Sequence, residues 1–215
     1  MRYPVFFGLI LFLVGCGSPT AKSSTPVPTK VTVKSVSLTF SAPPPMRINT
    51  RARYTATVVT TDGTFTMQLF PKVAPVTVNS FVFLARKGFY NHVKFHRIIA
   101  PFMVQTGDPT GTGTGGPGYE IKDELPPKNF QYAPGYVAMA NHGPNTNGSQ
   151  FFIVTGLQGL GLDKTRAFTV FGHVLTGMNV VERIAQTPIT NDPASNEPSF
   201  PLTDVYIKRV IIHGP

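Results

Sequence analysis

Glycine and proline are spread along almost the whole chain, and they limit the length of any regular element. The sequence has 20 glycines and 21 prolines among 215 residues. Proline removes a helical N–H and clashes with the preceding turn, and glycine inside a helix costs about 1 kcal/mol relative to alanine. The sequence therefore favours short strands and turns over a helix bundle.

The remaining composition is that of one folded domain. Hydrophobic residues make up 41% of the chain, with 17 phenylalanines and no tryptophan, which excludes wholesale disorder. A length of 215 residues gives room for one sizeable domain but not for two large ones. The single cysteine excludes a disulfide framework and a thiolate metal cluster.

The first sixteen residues have the pattern of a secretion signal. Arg2 gives a positive start, and the apolar run from Val5 to Val14 is shorter than the about 20 residues that cross a bilayer. The run ends in LVGC, which resembles the lipobox of bacterial lipoproteins, where the cysteine is acylated. We expect a signal peptide over residues 1–15 and a lipidated mature N-terminus at Cys16, with the domain in the cell envelope outside the cytoplasm. The alternative is a buried core helix with an incidental cysteine.

Residues 16–50 are rich in proline, serine, threonine and lysine, which predicts a flexible tether. A β-like alternation over residues 31–40 leaves open whether part of it packs on the domain. The formal charge of the chain is +9, and the stretch from Cys16 to Thr61 holds six basic residues and no acidic one. These charges fit either attraction to an anionic membrane or a solvated linker. Without a basic stripe in the rest of the chain, we expect no nucleic-acid partner.

From residue 51 to residue 215 the pattern is that of a folded domain built from short strands. Tyr54 opens an alternating strand, and Asp62-Gly63 predicts a hairpin turn before the return strand. Pro75 opens a helix that Gly88 closes, and a second helix is predicted over residues 179–186. Short apolar runs follow at 95–99, 102–105, 135–140, 150–154, 168–175 and 204–212. The pattern predicts a mainly β domain, a closed antiparallel barrel with two α-helices.

Three segments resemble the signatures of the cyclophilins, a family of prolyl isomerases. They are residues 95–105 (FHRIIAPFMVQ), residues 139–153 (MANHGPNTNGSQFFI), and residues 170–174 (VFGHV) with 177–181 (GMNVV). The resemblance extends from about Tyr54 to Ile212. It implies an eight-stranded closed barrel capped by two helices, peptidyl-prolyl cis-trans isomerase activity, proline-containing polypeptides as substrates, no cofactor, no metal and a monomer.

The chemistry of the reaction explains why one arginine matters. Rotation about a prolyl bond meets a barrier near 18–20 kcal/mol, which is set by amide resonance. The twisted transition state loses that resonance, so its nitrogen regains a lone pair that accepts a hydrogen bond. A donor aimed at this nitrogen therefore stabilises the transition state selectively. The resemblance gives that part to Arg97.

By resemblance, the catalytic residues are Arg97, Phe102 and Gln105. A lone aromatic residue would be assigned to the core, and it is the joint spacing of Arg97, Phe102, Met103 and Gln105 that favours a site. The residues expected to contact substrate or to support Arg97 are His96, Met103, Gly113, Ala140, Asn141, His142, Gln150, Phe152, Leu162 and Phe168.

Two departures from the family pattern bear on specificity. The family often has a tryptophan shortly before the leucine of the proline pocket, and this tryptophan hydrogen-bonds the inhibitor cyclosporin. Here the nearest match is Gly161, so we expect weak cyclosporin binding. His142 stands where a small residue is common, and it is expected to narrow or polarise the rim of the pocket.

Two other motifs in the sequence lack the context that their functions need. Residues 111–116 match G-x-G-x-x-G, but turn residues flank them instead of the strand and helix that a dinucleotide site needs. His92 and His96 lack the glutamate of a metalloprotease motif. The alternative functions are a non-catalytic chaperone that grips proline-containing segments and an envelope structural protein with a vestigial site.

Overall fold

The computed structural model describes residues 39–165 and 167–215. The predicted signal peptide, Cys16 and most of the predicted tether lie outside these described residues. Within them, no helix is both long enough and apolar enough to cross a bilayer.

The described chain is built from ten strands, two α-helices and one 3₁₀ segment. The helices are α1 (Pro75–Arg86) and α2 (Met178–Ala185), and the 3₁₀ segment covers Leu157–Lys164. The strands are β1 (Tyr54–Thr60), β2 (Thr64–Leu69), β3 (Arg97–Ile99), β4 (Met103–Thr106), β5 (Tyr136–Met139), β6 (Phe151–Val154), β7 (Val170–Thr176), β8 (Ile189–Asn191), β9 (Pro198–Pro201) and β10 (Ile207–His213).

Eight strands form one antiparallel sheet in the order β10-β1-β2-β7-β5-β6-β4-β3, and β8 and β9 form a separate hairpin. The sheet curls but is not closed, so the predicted closed barrel is not confirmed. Between the two edges of the sheet, the chain just before β3 contacts the chain at the start of β10: Phe95 N donates to Val205 O at 2.9 Å and Ile207 N donates to Val93 O at 2.8 Å. This contact ends before β3 begins at Arg97. The β8–β9 hairpin is inserted just ahead of β10, and β9 lies beside β3.

The two faces of the sheet carry two separate apolar clusters, because successive side chains of a strand point to opposite faces. On β6, Phe151 and Ile153 belong to the inner core with α1 and α2. Phe152 and Val154 belong to a second cluster on the outer face. Both faces of β6 are therefore buried, and the outer cluster is the part that borders the candidate site.

Helix α1 receives a carboxylate at its N-terminus from a distant loop. Pro75 occupies the first turn, where a missing N–H costs nothing. The two carboxylate oxygens of Glu124 accept from Val76 N at 3.0 Å and from Thr77 N at 2.9 Å. A negative group at this end is favoured by the helix dipole, so Glu124 fixes the loop that leads towards β5.

The last residues of the predicted tether contact the domain. Phe40 N donates to Pro117 O at 2.8 Å, and the Phe40 ring lies 5.0 Å from that of Phe83. The Asn79 side-chain amide donates to Pro45 O at 3.1 Å. Residues 39–50 thus run along α1 to the glycine-rich loop at residues 111–118.

Candidate active site

Strand pairing brings the central polar residues together. The β3–β4 register places Arg97 opposite Gln105, and the β4–β6 register places Gln105 opposite Phe152. Arg97 and Gln105 are eight residues apart in sequence, so a tight β-connection is enough to make them neighbours. The signature over residues 95–105 is therefore one structural unit, with the proposed donor on one strand and its neighbour on the next.

The Arg97 guanidinium is held from two sides. Its Nη1 donates to Gln105 Oε1 at 3.3 Å and lies 4.0 Å from Met103 Sδ. Its Nε and Nη2 donate to the two oxygens of Glu197 at 2.6 and 2.8 Å. The Arg97 side chain remains 33% exposed, so the guanidinium borders solvent at a defined position.

A chain of amides continues from Arg97 to the glycine-rich loop. Gln105 Nε2 donates to Gln150 Oε1 at 2.9 Å. Gln150 Nε2 in turn donates to the carbonyl oxygens of Gly113 and Gly115, both at 2.9 Å. Gln150 is buried, and these bonds tie the loop to β4. The loop edge and the guanidinium are thus fixed relative to each other.

A carboxylate organises the same loop from behind. Asp108 accepts from the backbone N–H groups of Gly113 at 2.6 Å and Gly115 at 3.1 Å, and from the side chain of Thr110 at 2.7 Å. Burial opposes ionisation of Asp108, but the hydrogen bonds from Thr110, Gly115 and Gly113 outweigh it and hold its pKa below the ordinary value. The loop is therefore anchored by an ionised group.

His96 lies beneath this loop. It is 5% exposed, and neither ring nitrogen has a hydrogen-bond partner within the described residues. A β-carbon built on Gly113 would be 4.0 Å from its ring. Burial is the main cause that lowers the pKa of His96, so the imidazole is neutral at pH 7. The ring therefore lies against the loop at Gly113 and does not reach the solvent side.

The outer apolar cluster contains five of the apolar residues expected at the site, namely Phe102, Met103, Phe152, Leu162 and Phe168. Met103, Phe152 and Leu162 are buried in it. The half-buried rings of Phe102 and Phe168 flank Phe152 at centroid distances of 6.4 and 5.4 Å. The cluster thus has a closed floor and two rings at its rim. Its half-buried members also include Ala140, and its buried members Tyr132 and Val154.

A cleft of about 470 Å³ lies next to this cluster. Gln105, Ala140, Asn141 and Gln150 line it together with the glycine-rich loop. The Asn141 side chain donates to Ala167 O at 2.9 Å, which holds the chain beside Phe168. His142 is exposed on the rim, and its backbone N–H donates to Thr146 Oγ1 at 2.9 Å. Ala140 belongs both to the cleft lining and to the apolar cluster, so the two are adjacent.

The structure brings together all thirteen site residues that the sequence predicts within residues 39–165 and 167–215, and adds two that the sequence did not indicate. Glu197 binds Arg97 from 100 positions away. Tyr132 donates its hydroxyl to Phe168 O at 2.7 Å, and its backbone N–H donates to Asp163 Oδ1 at 2.8 Å. Neither belongs to a local motif, so only the fold reveals them. In the same described part of the chain, no three His, Cys, Asp or Glu side chains gather closely enough to hold a metal ion.

Comparisons with known proteins agree on one family. The family model described as cyclophilin type peptidyl-prolyl cis-trans isomerase/CLD matches residues 55–211. The peptidyl-prolyl cis-trans isomerase-like 1 protein of Aspergillus fumigatus is 50% identical over 157 residues, covering 70% of this chain and 89% of its own. The isomerase-like 3 protein of Homo sapiens is 42% identical over 162 residues, covering 74% and 95%. These relatives are eukaryotic and do not support the bacterial lipoprotein form.

Solved structures agree with the sequence relatives. A crystal structure of a cyclophilin type peptidyl-prolyl cis-trans isomerase from Cryptosporidium parvum matches with a TM-score of 0.65 and 32% identity, covering 75% of this chain and 98% of that one. A second crystal structure of that protein, in the presence of the dipeptide Ala-Pro, matches with a TM-score of 0.64 over 74% of this chain.

Proposed function

Because the chain belongs to the cyclophilin-type peptidyl-prolyl cis-trans isomerase family, we propose that it catalyses cis-trans isomerisation of X-Pro bonds in polypeptides. One observation carries this proposal: the Arg97 guanidinium contacts Met103 of an apolar cluster whose rim is formed by the half-buried rings of Phe102 and Phe168. A proline ring in the cluster brings its amide nitrogen towards a fixed cationic donor.

The proposed mechanism is differential binding of the twisted amide. Arg97 donates to the prolyl nitrogen only when rotation has freed its lone pair, so the interaction lowers the barrier without stabilising either planar isomer. A rate increase of about 10⁵-fold requires about 7 kcal/mol. One charge-assisted hydrogen bond, together with the orientation of a desolvated substrate, supplies an energy of this order.

The apolar cluster supplies binding and desolvation. Its buried members, Met103, Phe152 and Leu162, offer no polar group to compete for the amide. A low-dielectric floor strengthens the hydrogen bond from Arg97, because fewer water molecules screen it. Gln105 and the backbone near Asn141 border the adjacent cleft, where the polypeptide on the other side of the proline has room to lie.

The alternative is a non-catalytic module that grips proline-containing segments through the same cleft. Such a module needs the apolar cluster and the cleft but has no use for a donor aimed at the prolyl nitrogen. The placement of Arg97 between Gln105 and Glu197 favours turnover over simple binding.

Isomerase activity is tested by NMR exchange spectroscopy of a short Ala-Pro peptide with the full 215-residue chain. We expect the chain to accelerate cis-trans exchange well above the uncatalysed rate, since uncatalysed exchange takes about tens to hundreds of seconds. Binding of the peptide without any acceleration would reject the isomerase and support the non-catalytic module.

We also propose that Cys16 is lipidated and holds the domain at the outer side of a membrane, where it acts on secreted or envelope proteins. This proposal rests on the apolar run and the LVGC sequence of residues 13–16. Replacing Cys16 by serine removes the thiol that would be acylated. We expect the variant either to leave the membrane fraction or to accumulate as the uncleaved precursor. Unchanged processing and unchanged membrane fractionation of Cys16→Ser would contradict lipidation.

A further inference from the structure

The β8–β9 hairpin carries an acidic residue to the candidate site. The hairpin lies between α2 and β10, and Glu197 immediately precedes β9. Its turn is closely hydrogen-bonded: Asp192 N donates to Glu197 O at 2.7 Å, and the Asp192 side chain accepts from Ala194 N at 2.7 Å. The backbone of Glu197 is therefore held in place by the turn and does not depend on Arg97 for its position.

Glu197 binds one whole edge of the Arg97 guanidinium. Its two oxygens accept from Nε at 2.6 Å and from Nη2 at 2.8 Å. Such a two-point contact fixes the plane of the guanidinium as well as its distance. The side chains of Arg97 and Glu197 are 33% and 35% exposed, so the pair is partly shielded from water.

A count of donors shows what this contact leaves free. A guanidinium carries five N–H groups. Glu197 takes two of them and Gln105 takes a third, on Nη1. Two N–H groups remain among the described residues: the one on Nη1 lies 4.0 Å from Met103 Sδ, a weak acceptor, and the one on Nη2 has no partner. Because Glu197 occupies the edge formed by Nε and Nη2, the remaining donors belong to the terminal nitrogens Nη1 and Nη2.

We propose that Glu197 is a positioning residue for the isomerase reaction, acting through Arg97 by fixing its plane and directing a remaining N–H group at the prolyl nitrogen. This inference rests on the proposed isomerase activity. Glu197 touches no substrate in this proposal, so its contribution passes entirely through the arginine. Without it, the guanidinium keeps, among the residues that the structure describes, the 3.3 Å bond to Gln105 and the contact with Met103, and its long side chain regains rotational freedom.

The first test is the kinetics of Glu197→Ala in the full chain. We expect kcat/KM for an Ala-Pro peptide to fall about tenfold, equivalent to about 1.4 kcal/mol, mostly through kcat because the apolar cluster is unchanged. Glu182→Ala is the matched control, since it removes an exposed acidic side chain from α2, and we expect it to change the rate less than twofold.

A double-mutant cycle separates positioning from a structural role. If Glu197 acts through Arg97, then Glu197→Ala causes no further loss in an Arg97→Ala background. If the hairpin merely supports the fold, the losses of activity from Glu197→Ala and Arg97→Ala add in the double variant, and Glu197→Ala lowers the melting temperature. That result would overturn the inference. If the wild type is active and Glu197→Ala matches it, the inference fails while the isomerase stands; an inactive wild type rejects the isomerase itself.

A spectroscopic measurement tests the contact apart from activity. In a ¹H–¹⁵N spectrum, the Arg97 Nε–H resonance, assigned by its loss in Arg97→Ala, is expected downfield and protected from exchange in the wild type. In Glu197→Ala it should move to the position of exposed arginines. The same position in both proteins would show that Glu197 does not hold the guanidinium, and would overturn the inference.

The pH profile gives a third signature. The hydrogen bonds from Arg97 are the largest cause that holds the pKa of Glu197 below its ordinary value. Glu197 therefore stays ionised and bound to Arg97 above about pH 4.3, the ordinary value for glutamate, and the pair is lost as the pH falls through the lower pKa. We expect the kcat of the wild type to fall as the pH drops through this lowered pKa. The kcat of Glu197→Gln should show no such fall, because glutamine does not titrate. An identical fall in both proteins would count against the inference.

Discussion

Replacing Arg97 by alanine is expected to lower kcat/KM for an Ala-Pro peptide by about 10²–10³-fold, the loss typical when one transition-state donor is removed. The loss should appear mainly in kcat, because the planar isomers receive no hydrogen bond at the prolyl nitrogen and bind through the apolar cluster. The fold should survive, since Arg97 is on a three-residue strand at the edge of the sheet and its side chain borders solvent. NMR exchange spectroscopy measures the rate, and circular dichroism verifies the fold.

Two further variants sharpen this experiment. Arg209→Ala removes an exposed arginine from β10 and should leave the rate unchanged, which controls for loss of net charge. Arg97→Lys keeps the charge but loses the planar fork that binds Glu197 and Gln105 together, so its rate should lie between those of the wild type and Arg97→Ala. If Arg97→Ala instead raises KM and leaves kcat constant, Arg97 contributes ordinary substrate binding, and the proposed mechanism is wrong.

Most of the sheet could be predicted from the sequence because its signals are local. The six apolar runs from residue 95 onward each overlap one strand of the large sheet. The helix predicted to open at Pro75 does begin there, and Gly88 follows its end in the left-handed conformation at φ +72°. Proline in the first turn and glycine after the last turn act through the backbone of their immediate neighbours, which is why one sequence suffices to find them.

The β8–β9 hairpin could not be predicted in the same way. All three residues of β8 are exposed, and β9 begins and ends with proline, so neither strand shows the apolar alternation that indicates a strand. The hairpin nevertheless delivers Glu197 to Arg97 across 100 residues. Pairings of this kind depend on the whole topology, and a local motif contains no information about them.

Whether the two edges of the sheet meet could not be predicted from the sequence, for a related reason. Eight alternating runs are compatible with a closed barrel or with a curled open sheet, since both bury the same face of each strand. The outcome depends on whether the two edge strands meet. Here β3 has only three residues, and the hydrogen bonds between the two edges of the sheet join residues 92–95 to residues 205–207 before β3 begins.

One departure from the family pattern is Gly161, which stands where the family often has the tryptophan that hydrogen-bonds cyclosporin. This residue lies in the 3₁₀ segment Leu157–Lys164, directly before the buried Leu162 of the apolar cluster. A β-carbon built on Gly161 meets no atom within 4 Å, and its backbone is outside the left-handed region. The position is thus open to solvent at the edge of the cluster and accepts a large side chain without a change in backbone conformation.

Replacing Gly161 by tryptophan is expected to strengthen cyclosporin binding by about 10–100-fold relative to a weakly inhibited wild type. An indole at this edge adds apolar contact area and one N–H donor, and a gain of about 1.4 kcal/mol per tenfold requires only one good hydrogen bond with some buried ring surface. Titration calorimetry and inhibition of Ala-Pro exchange measure the gain, while kcat/KM without inhibitor should change little because Arg97 and the floor of the cluster are untouched.

Gly161→Phe is the matched control for this substitution, since phenylalanine adds an aromatic ring without the N–H donor. We expect it to recover only part of the affinity gained by Gly161→Trp, and the difference between the two variants measures the hydrogen bond. Tight inhibition of the wild type would contradict the expectation, because it would mean that the cluster and the cleft bind the inhibitor fully without any aromatic residue at position 161. Equal affinities for the tryptophan and phenylalanine variants would assign the gain to ring burial and reject the hydrogen bond.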